Sequence, residues 1–65
     1  MKVVTKLIAS AATEGGIKQM IAEYWFASIE CITIEGESVF VSGKRRDGVR
    51  VIKKKGRYRF ERELT

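Results

Sequence analysis

The chain has 65 residues, of which 45% are hydrophobic and 32% are charged, and its formal net charge at pH 7 is +5. This length predicts a single small domain over residues 1–65, and the composition is that of a folded chain rather than a disordered one. Histidine is missing and Cys31 is the one cysteine, which excludes an internal disulfide, the usual zinc clusters and His-based catalytic pairs. We therefore expect a cytoplasmic protein that is not an enzyme and uses no cofactor or metal.

The N-terminal segment has the lysine, apolar residues and small residues of a secretory signal. Lys6 interrupts the apolar region, which in such signals runs unbroken for about 7–15 residues. No apolar stretch approaches the ~20 residues that a membrane-spanning helix needs. We expect neither secretion nor a membrane partner.

Residues 2–12 contain apolar side chains at the spacing of one helical face, which predicts a first helix. A strand is the alternative, because Val3, Val4 and Ile8 are β-branched. The pair Gly15-Gly16 predicts a break after this segment, since two glycines inside a helix cost about 2 kcal/mol relative to alanine.

Residues 16–26 give the clearest helix. Ile17, Met20, Ile21, Tyr24 and Trp25 form one wide apolar stripe, which we expect to pack on the strands that follow. The two helical runs separated by glycines suggest a helix-turn-helix, whose second helix reads DNA through a polar face. The polar face here is poor in arginine and asparagine, so we do not expect this helix to read bases.

From residue 28 the apolar period changes from 3.6 to 2, which indicates strands. Turn signals at residues 35–37, 47–48 and 54–56 separate segments that predict a β-meander. Tyr58 and Phe60 are expected to face Tyr24 and Trp25, and the last strand is expected at the sheet edge. The predicted class is α+β, with the N-terminal helical segments packed on a C-terminal antiparallel meander of three to four strands.

The positive charge is confined to the C-terminal third. Residues 44–65 hold ten basic and three acidic residues, whereas residues 1–43 hold three basic and five acidic ones. This asymmetry indicates an anionic partner, because lysine and arginine pair with phosphate. The candidate binding residues crowd two turns, and some lie on a solvent-facing stripe between them: Lys44, Arg45, Arg46, Arg50, Lys53, Lys54, Lys55, Arg57 and Arg59.

Phe40 is the candidate stacking platform for a base, because its parity is opposite to that of Val39 and Val41. A packed Phe40 is the alternative. The basic residues also have a structural interpretation, since lysine and arginine protect sheet edges and keep small proteins soluble. Glu61 and Glu63 weaken the basic surface, and cross-strand pairing with Lys53 or Arg50 is expected.

Two hypotheses of function follow. The first is a nucleic-acid-binding or regulatory module of low sequence specificity, which contacts DNA or RNA phosphates through its C-terminal hairpin turns. The second is a small inhibitor or adaptor, of the kind that phages and mobile elements carry, which docks on an acidic surface of a partner protein. A homodimer is a further option, because Phe26 lies off the main helical stripe.

Overall fold

The computed structural model describes residues 4–64. Along this part of the chain, one strand and one helix precede five further strands: β1 (Thr5–Ala11), α1 (Glu14–Tyr24), β2 (Ile32–Glu35), β3 (Ser38–Val41), β4 (Lys44–Arg46), β5 (Val49–Lys54) and β6 (Arg57–Glu63). The α+β class, with a helix followed by antiparallel strands, is confirmed.

The strands form two antiparallel sheets, in the orders β1-β6-β5 and β2-β3-β4. The expected single meander is therefore wrong, and β6 is the central strand of its sheet rather than an edge. The sheets meet where the Val51 N–H donates to the Glu37 carbonyl at 3.0 Å. Helix α1 contacts both sheets, so the core lies between the helix and the two sheets.

The helix expected over residues 2–12 is wrong, because Thr5–Ala11 is strand β1. Residues 2–3 of that prediction lie outside the described part of the chain. The register against β6 shifts between Leu7 and Ala9, which indicates a β-bulge. A bulge adds one residue to the strand, so the residues after it point to the opposite face from the one that simple alternation predicts. The apolar positions of β1 therefore have a spacing close to that of a helix.

Helix α1 begins two residues earlier than expected, and Gly15 and Gly16 lie in its first turn instead of breaking it. Thr13 caps the helix, and its Oγ1 accepts the Gly16 N–H at 3.0 Å. The first-turn amides have no carbonyl partner within the helix, so a cap can fix these residues despite their flexibility. The helix ends at Tyr24, which also corrects the expected end at residue 26.

The core is built from one face of α1 and the inward-facing residues of both sheets. Phe60 is fully buried, and its ring meets Tyr24 and Trp25 edge to face with centroids 5.5 Å apart, as expected from the strand parity. Tyr58 is half-buried and packs against the same core. The largest side chains that are fully or almost fully buried are Ile17, Ile21, Val39, Val51 and Phe60.

The chain turns at residues 36–37, 47–48 and 55–56, where turns were expected. A 3₁₀ turn, Ile29–Cys31, delays the start of β2, because the Ser28 hydroxyl accepts the Glu30 N–H at 3.4 Å and holds that turn. Within residues 4–64, no helix has the length and apolar character needed to cross a membrane.

Candidate functional site

The first group of candidate residues, Lys44, Arg45 and Arg46, was expected in a turn but forms the short exposed strand β4. Pairing with β3 sends these side chains to different faces. Arg45 lies opposite Phe40, whereas Arg46 lies opposite the buried Val39. β4 therefore divides its positive charge between two faces and does not concentrate it.

The Arg46 guanidinium lies over the Trp25 ring, 5.4 Å from the ring centroid. A guanidinium at this distance from an indole face makes a cation–π contact. The two residues border an open cleft of about 490 Å³, which we call the tryptophan cleft. Its other lining residues include Tyr24, Arg45, Asp47, Arg62 and Glu63. The cleft thus combines aromatic rings with three arginines and two carboxylates.

The second group of candidate residues lies in the hairpin that joins β5 to β6. Lys54 pairs with Arg57, and Ile52 pairs with Arg59, so Lys54, Arg57 and Arg59 share the face of the sheet that is turned away from the helix. Together with Lys55 and Ser10 they line a second cleft, of about 270 Å³, which we call the hairpin cleft. Every charged residue that lines it is basic.

Two contacts fix the arginine side chains of the hairpin cleft. The Arg57 Nε donates to the Ser10 Oγ of β1 at 3.3 Å, and the Arg59 Nε donates to the Glu61 Oε2 at 2.9 Å. Each contact uses the Nε group, so the terminal guanidinium nitrogens make no hydrogen bond within residues 4–64. These nitrogens are the ones that pair with the oxygens of a phosphate.

Lys55 forms the tip of the hairpin and has a left-handed backbone, with φ of 54°, next to Gly56 at 78°. Positive φ at both central residues suits a type I′ turn, where Asn, Asp or Gly is the usual first residue. A lysine costs about 1 kcal/mol more than glycine in this conformation. Its strained backbone holds a charged side chain at the rim of the hairpin cleft.

The expected basic stripe of Arg50, Arg57 and Arg59 is interrupted by Glu61. This carboxylate is only 5% exposed and accepts hydrogen bonds from Arg59, from Arg50 at 3.3 Å and from the Thr5 hydroxyl at 3.0 Å. The Arg59 hydrogen bond, followed by those from Thr5 and Arg50, lowers the Glu61 pKa against the opposing effect of burial. The expected cross-strand pair of Glu61 with Arg50 is confirmed, and its two charges offset each other.

The remaining candidates lie apart from both clefts. The Lys53 ammonium lies over the Tyr58 ring, 5.4 Å from its centroid, on the helix side of the sheet. Phe40 is half-buried, and its cross-strand neighbours are Thr33 and Arg45. Its role as a stacking platform stays a prediction.

Several residues that line the two clefts were not among the candidates, and the most relevant are Ser10, Trp25 and Arg62. Ser10 was missed because a helix was expected over β1, and Trp25 because its apolar stripe indicated the core. Phe26 lines neither cleft and was also not a candidate; it follows the helix and is 97% exposed. Its position off the apolar stripe was a usable signal, because nothing in the sequence offers that ring a place in the core.

Cys31 is half-buried, and residues 4–64 contain no group of three His, Cys, Asp or Glu residues placed to hold a metal ion. No protein-family model matches the chain, and no curated protein or solved structure matches it. The geometry and charge of the two clefts are therefore the basis for the function proposed below.

Proposed function

We propose that this protein binds nucleic acid with low sequence specificity, by contacting backbone phosphates. The observation that carries the proposal is the hairpin cleft, where Lys54, Lys55, Arg57 and Arg59 converge and no carboxylate lines the surface. Glu61 offsets the charge of Arg59, but Lys54, Lys55 and Arg57 pair with no carboxylate within residues 4–64. Like charges repel, so bringing these three together opposes folding unless an anion neutralises them. A binding function, rather than catalysis, is consistent with this arrangement.

The two ends of β5 place cationic groups at separate points along the proposed binding path. The hairpin cleft lies at the Lys54 end, and the arginines of the tryptophan cleft lie near the Val49 end. A strand of this length spans roughly 17–20 Å. The clefts also open on opposite faces of the sheet, because Val49 and Arg62 share the face of Phe60 whereas Lys54 and Arg57 lie on the other face. A nucleic-acid strand that contacted both clefts would pass around an edge of the sheet. None of these contacts requires a particular base, which supports low specificity.

The test is a titration of labelled duplex DNA, single-stranded DNA and RNA followed by fluorescence anisotropy at several salt concentrations. We expect log K to fall with log salt at a slope of about −0.9 per duplex phosphate contacted. Lys54→Gln and Arg57→Gln should each reduce the slope by about one contact. Lys18→Gln, on the helix and outside the hairpin cleft, removes the same charge and serves as the control.

Three results would contradict the proposal. The first is a lack of binding to all three nucleic acids at low salt. The second is an affinity that does not change with salt. The third is an affinity that falls equally in the hairpin-cleft variants and in Lys18→Gln. Any of these results would show that the hairpin cleft does not bind nucleic-acid phosphates.

The second candidate function is docking on an acidic surface of a partner protein. Exposed apolar side chains favour it, since Phe26 is 97% and Ile29 is 43% exposed on the segment that follows the helix. Aromatic anchors of this kind are enriched at protein interfaces. A partner that is still retained after nuclease treatment, and released by Phe26→Gly, would favour this function over the first.

A further inference from the structure

Phe26 occupies the position after the helix that usually holds glycine. Its N–H donates to the Glu23 carbonyl at 3.3 Å, and the Ala27 N–H donates to the Ala22 carbonyl at 2.8 Å. This pair of bonds is the Schellman ending, whose left-handed residue is most often glycine. Phe26 adopts the left-handed backbone with φ of 53°. A side chain at this position opposes folding because Cβ is crowded.

The Phe26 ring gains nothing from burial that would offset this strain, since it is 97% exposed. Neighbouring rings are engaged: Tyr24, Trp25 and Phe60 contact one another, and Arg46 lies over Trp25. Phe26 makes no aromatic or cation–π contact within residues 4–64. A strained residue that contributes no packing is a candidate for function.

The residue that precedes Phe26 borders a cationic cleft, which indicates what the Phe26 ring contacts. Phe26 does not line the tryptophan cleft itself, but Trp25 does, together with Arg45, Arg46 and Arg62, which outnumber the carboxylates of Asp47 and Glu63. An apolar face next to cations fits a nucleic-acid base next to its phosphate. In a duplex the bases are already stacked on each other, so only an unpaired base can cover the ring.

We infer that Phe26 is a stacking platform for an unpaired base, with the arginines of the tryptophan cleft holding the adjoining phosphates, and that the protein therefore prefers single-stranded to duplex nucleic acid. This inference rests on the proposed function. It assigns phosphate contact mainly to the hairpin cleft and strand preference to Phe26.

The test uses the full chain with Phe26→Gly, Phe26→Trp and the control Ile29→Ala, which shortens a neighbouring exposed apolar side chain that has no ring. The probes are a labelled oligothymidine of about 16 nucleotides and a duplex of equal length. Phe26→Gly should weaken oligothymidine binding about tenfold, because the stacking contact with one base is lost. Duplex affinity should not change, and Phe26→Trp should keep single-strand binding.

Phe26→Gly also relieves the left-handed strain, so its Tm should rise, and a binding loss cannot then come from unfolding. Unchanged oligothymidine affinity, or equal losses on both probes, would overturn the inference but leave salt-dependent binding in place. Failure of the unmodified protein to bind either probe would instead remove the proposed function. A dimer that Phe26→Gly converts to a monomer would assign the ring to a protein contact and overturn the inference.

Discussion

At the scale of single residues, Glu61 is the carboxylate on which the outer face of the β1-β6-β5 sheet depends. Arg50, Arg59 and Thr5 all donate to it, and it is 5% exposed. Glu61→Gln would keep the shape of the side chain but lose the charge that offsets two guanidinium groups. We expect a loss of about 2 kcal/mol in the free energy of unfolding, measured by urea denaturation.

The same residue should control the acid stability of the fold. Its folded-state pKa is lowered from the ordinary value of 4.5, chiefly by the Arg59 hydrogen bond. Its stabilisation is therefore fully present above that value and is lost as pH falls through the lower folded-state pKa. In Glu61→Gln the free energy of unfolding should therefore fall less steeply as the pH is lowered. Glu63→Gln, which changes an exposed carboxylate, should leave this pH dependence as it is. If Glu61→Gln also left it unchanged, the result would contradict the role given to Glu61.

The sequence was most informative at this residue scale. Alternation in β5 and β6 predicted the inward Phe60, because a short turn leaves little freedom in the register of a hairpin. Lys53 and Arg50 were both candidate partners for Glu61, and the register selects Arg50. It did not predict the burial of Glu61. Strand β1 places Leu7 opposite Glu61 and the Thr5 hydroxyl within hydrogen-bond distance of its carboxylate, and the pairing of β1 with β6 is not encoded in the hairpin.

At the scale of elements, the junction between β1 and α1 depends on two glycines with opposite surroundings. A Cβ added to Gly15 would meet nothing within 4 Å, whereas one added to Gly16 would lie 3.2 Å from the Ala11 Cβ and 3.1 Å from the Thr13 Oγ1. Gly15→Ala should stabilise the protein by about 0.5 kcal/mol through helix propensity. Gly16→Ala should destabilise it by about 1 kcal/mol, because Ala11 is held in the sheet and cannot move away.

Thermal unfolding of the two variants side by side would measure this difference, with each variant serving as the control for the other. Equal Tm shifts would show that the helix does not approach β1 closely. The sequence alone predicted a break at these glycines, because helix propensity carries no information about the Thr13 cap or the distance to Ala11. The bulge in β1 hid the strand for a similar reason, since it reversed the alternation that identifies strands.

At the scale of the whole molecule, the fold brings together segments from the two ends of the described chain. β1 pairs with β6 from Thr5 opposite Glu63 to Ala11 opposite Tyr58, which makes β6 central and adds Ser10 to the hairpin cleft. Local patterns predicted the turn at residues 55–56 and the basic residues around it, but placed Lys44–Arg46 in a turn instead of in strand β4. They did not predict that a strand some 50 positions earlier along the chain would complete the cleft, because such pairing depends on the global fold.

The hairpin cleft should also bind inorganic phosphate, and this would appear in the stability of the whole domain. Any ligand that binds only the folded state raises the Tm. The unmodified protein should therefore gain more in Tm from phosphate than from chloride at equal ionic strength. Phosphate also strengthens apolar burial in general, so part of the gain should persist in every variant.

The double variant Lys54→Gln/Arg57→Gln separates these two effects. In chloride at low ionic strength its Tm should equal or exceed that of the unmodified protein, because two of the crowded charges of the hairpin cleft are removed. In phosphate the variant should have the lower Tm, since it gains only from the general strengthening of apolar burial by phosphate. If the variant gained as much from phosphate as the unmodified protein, the cleft would not be an anion site. If the order of the two Tm values reverses in phosphate, the anion binds to the folded hairpin, because an unfolded chain of the same charge has no cleft.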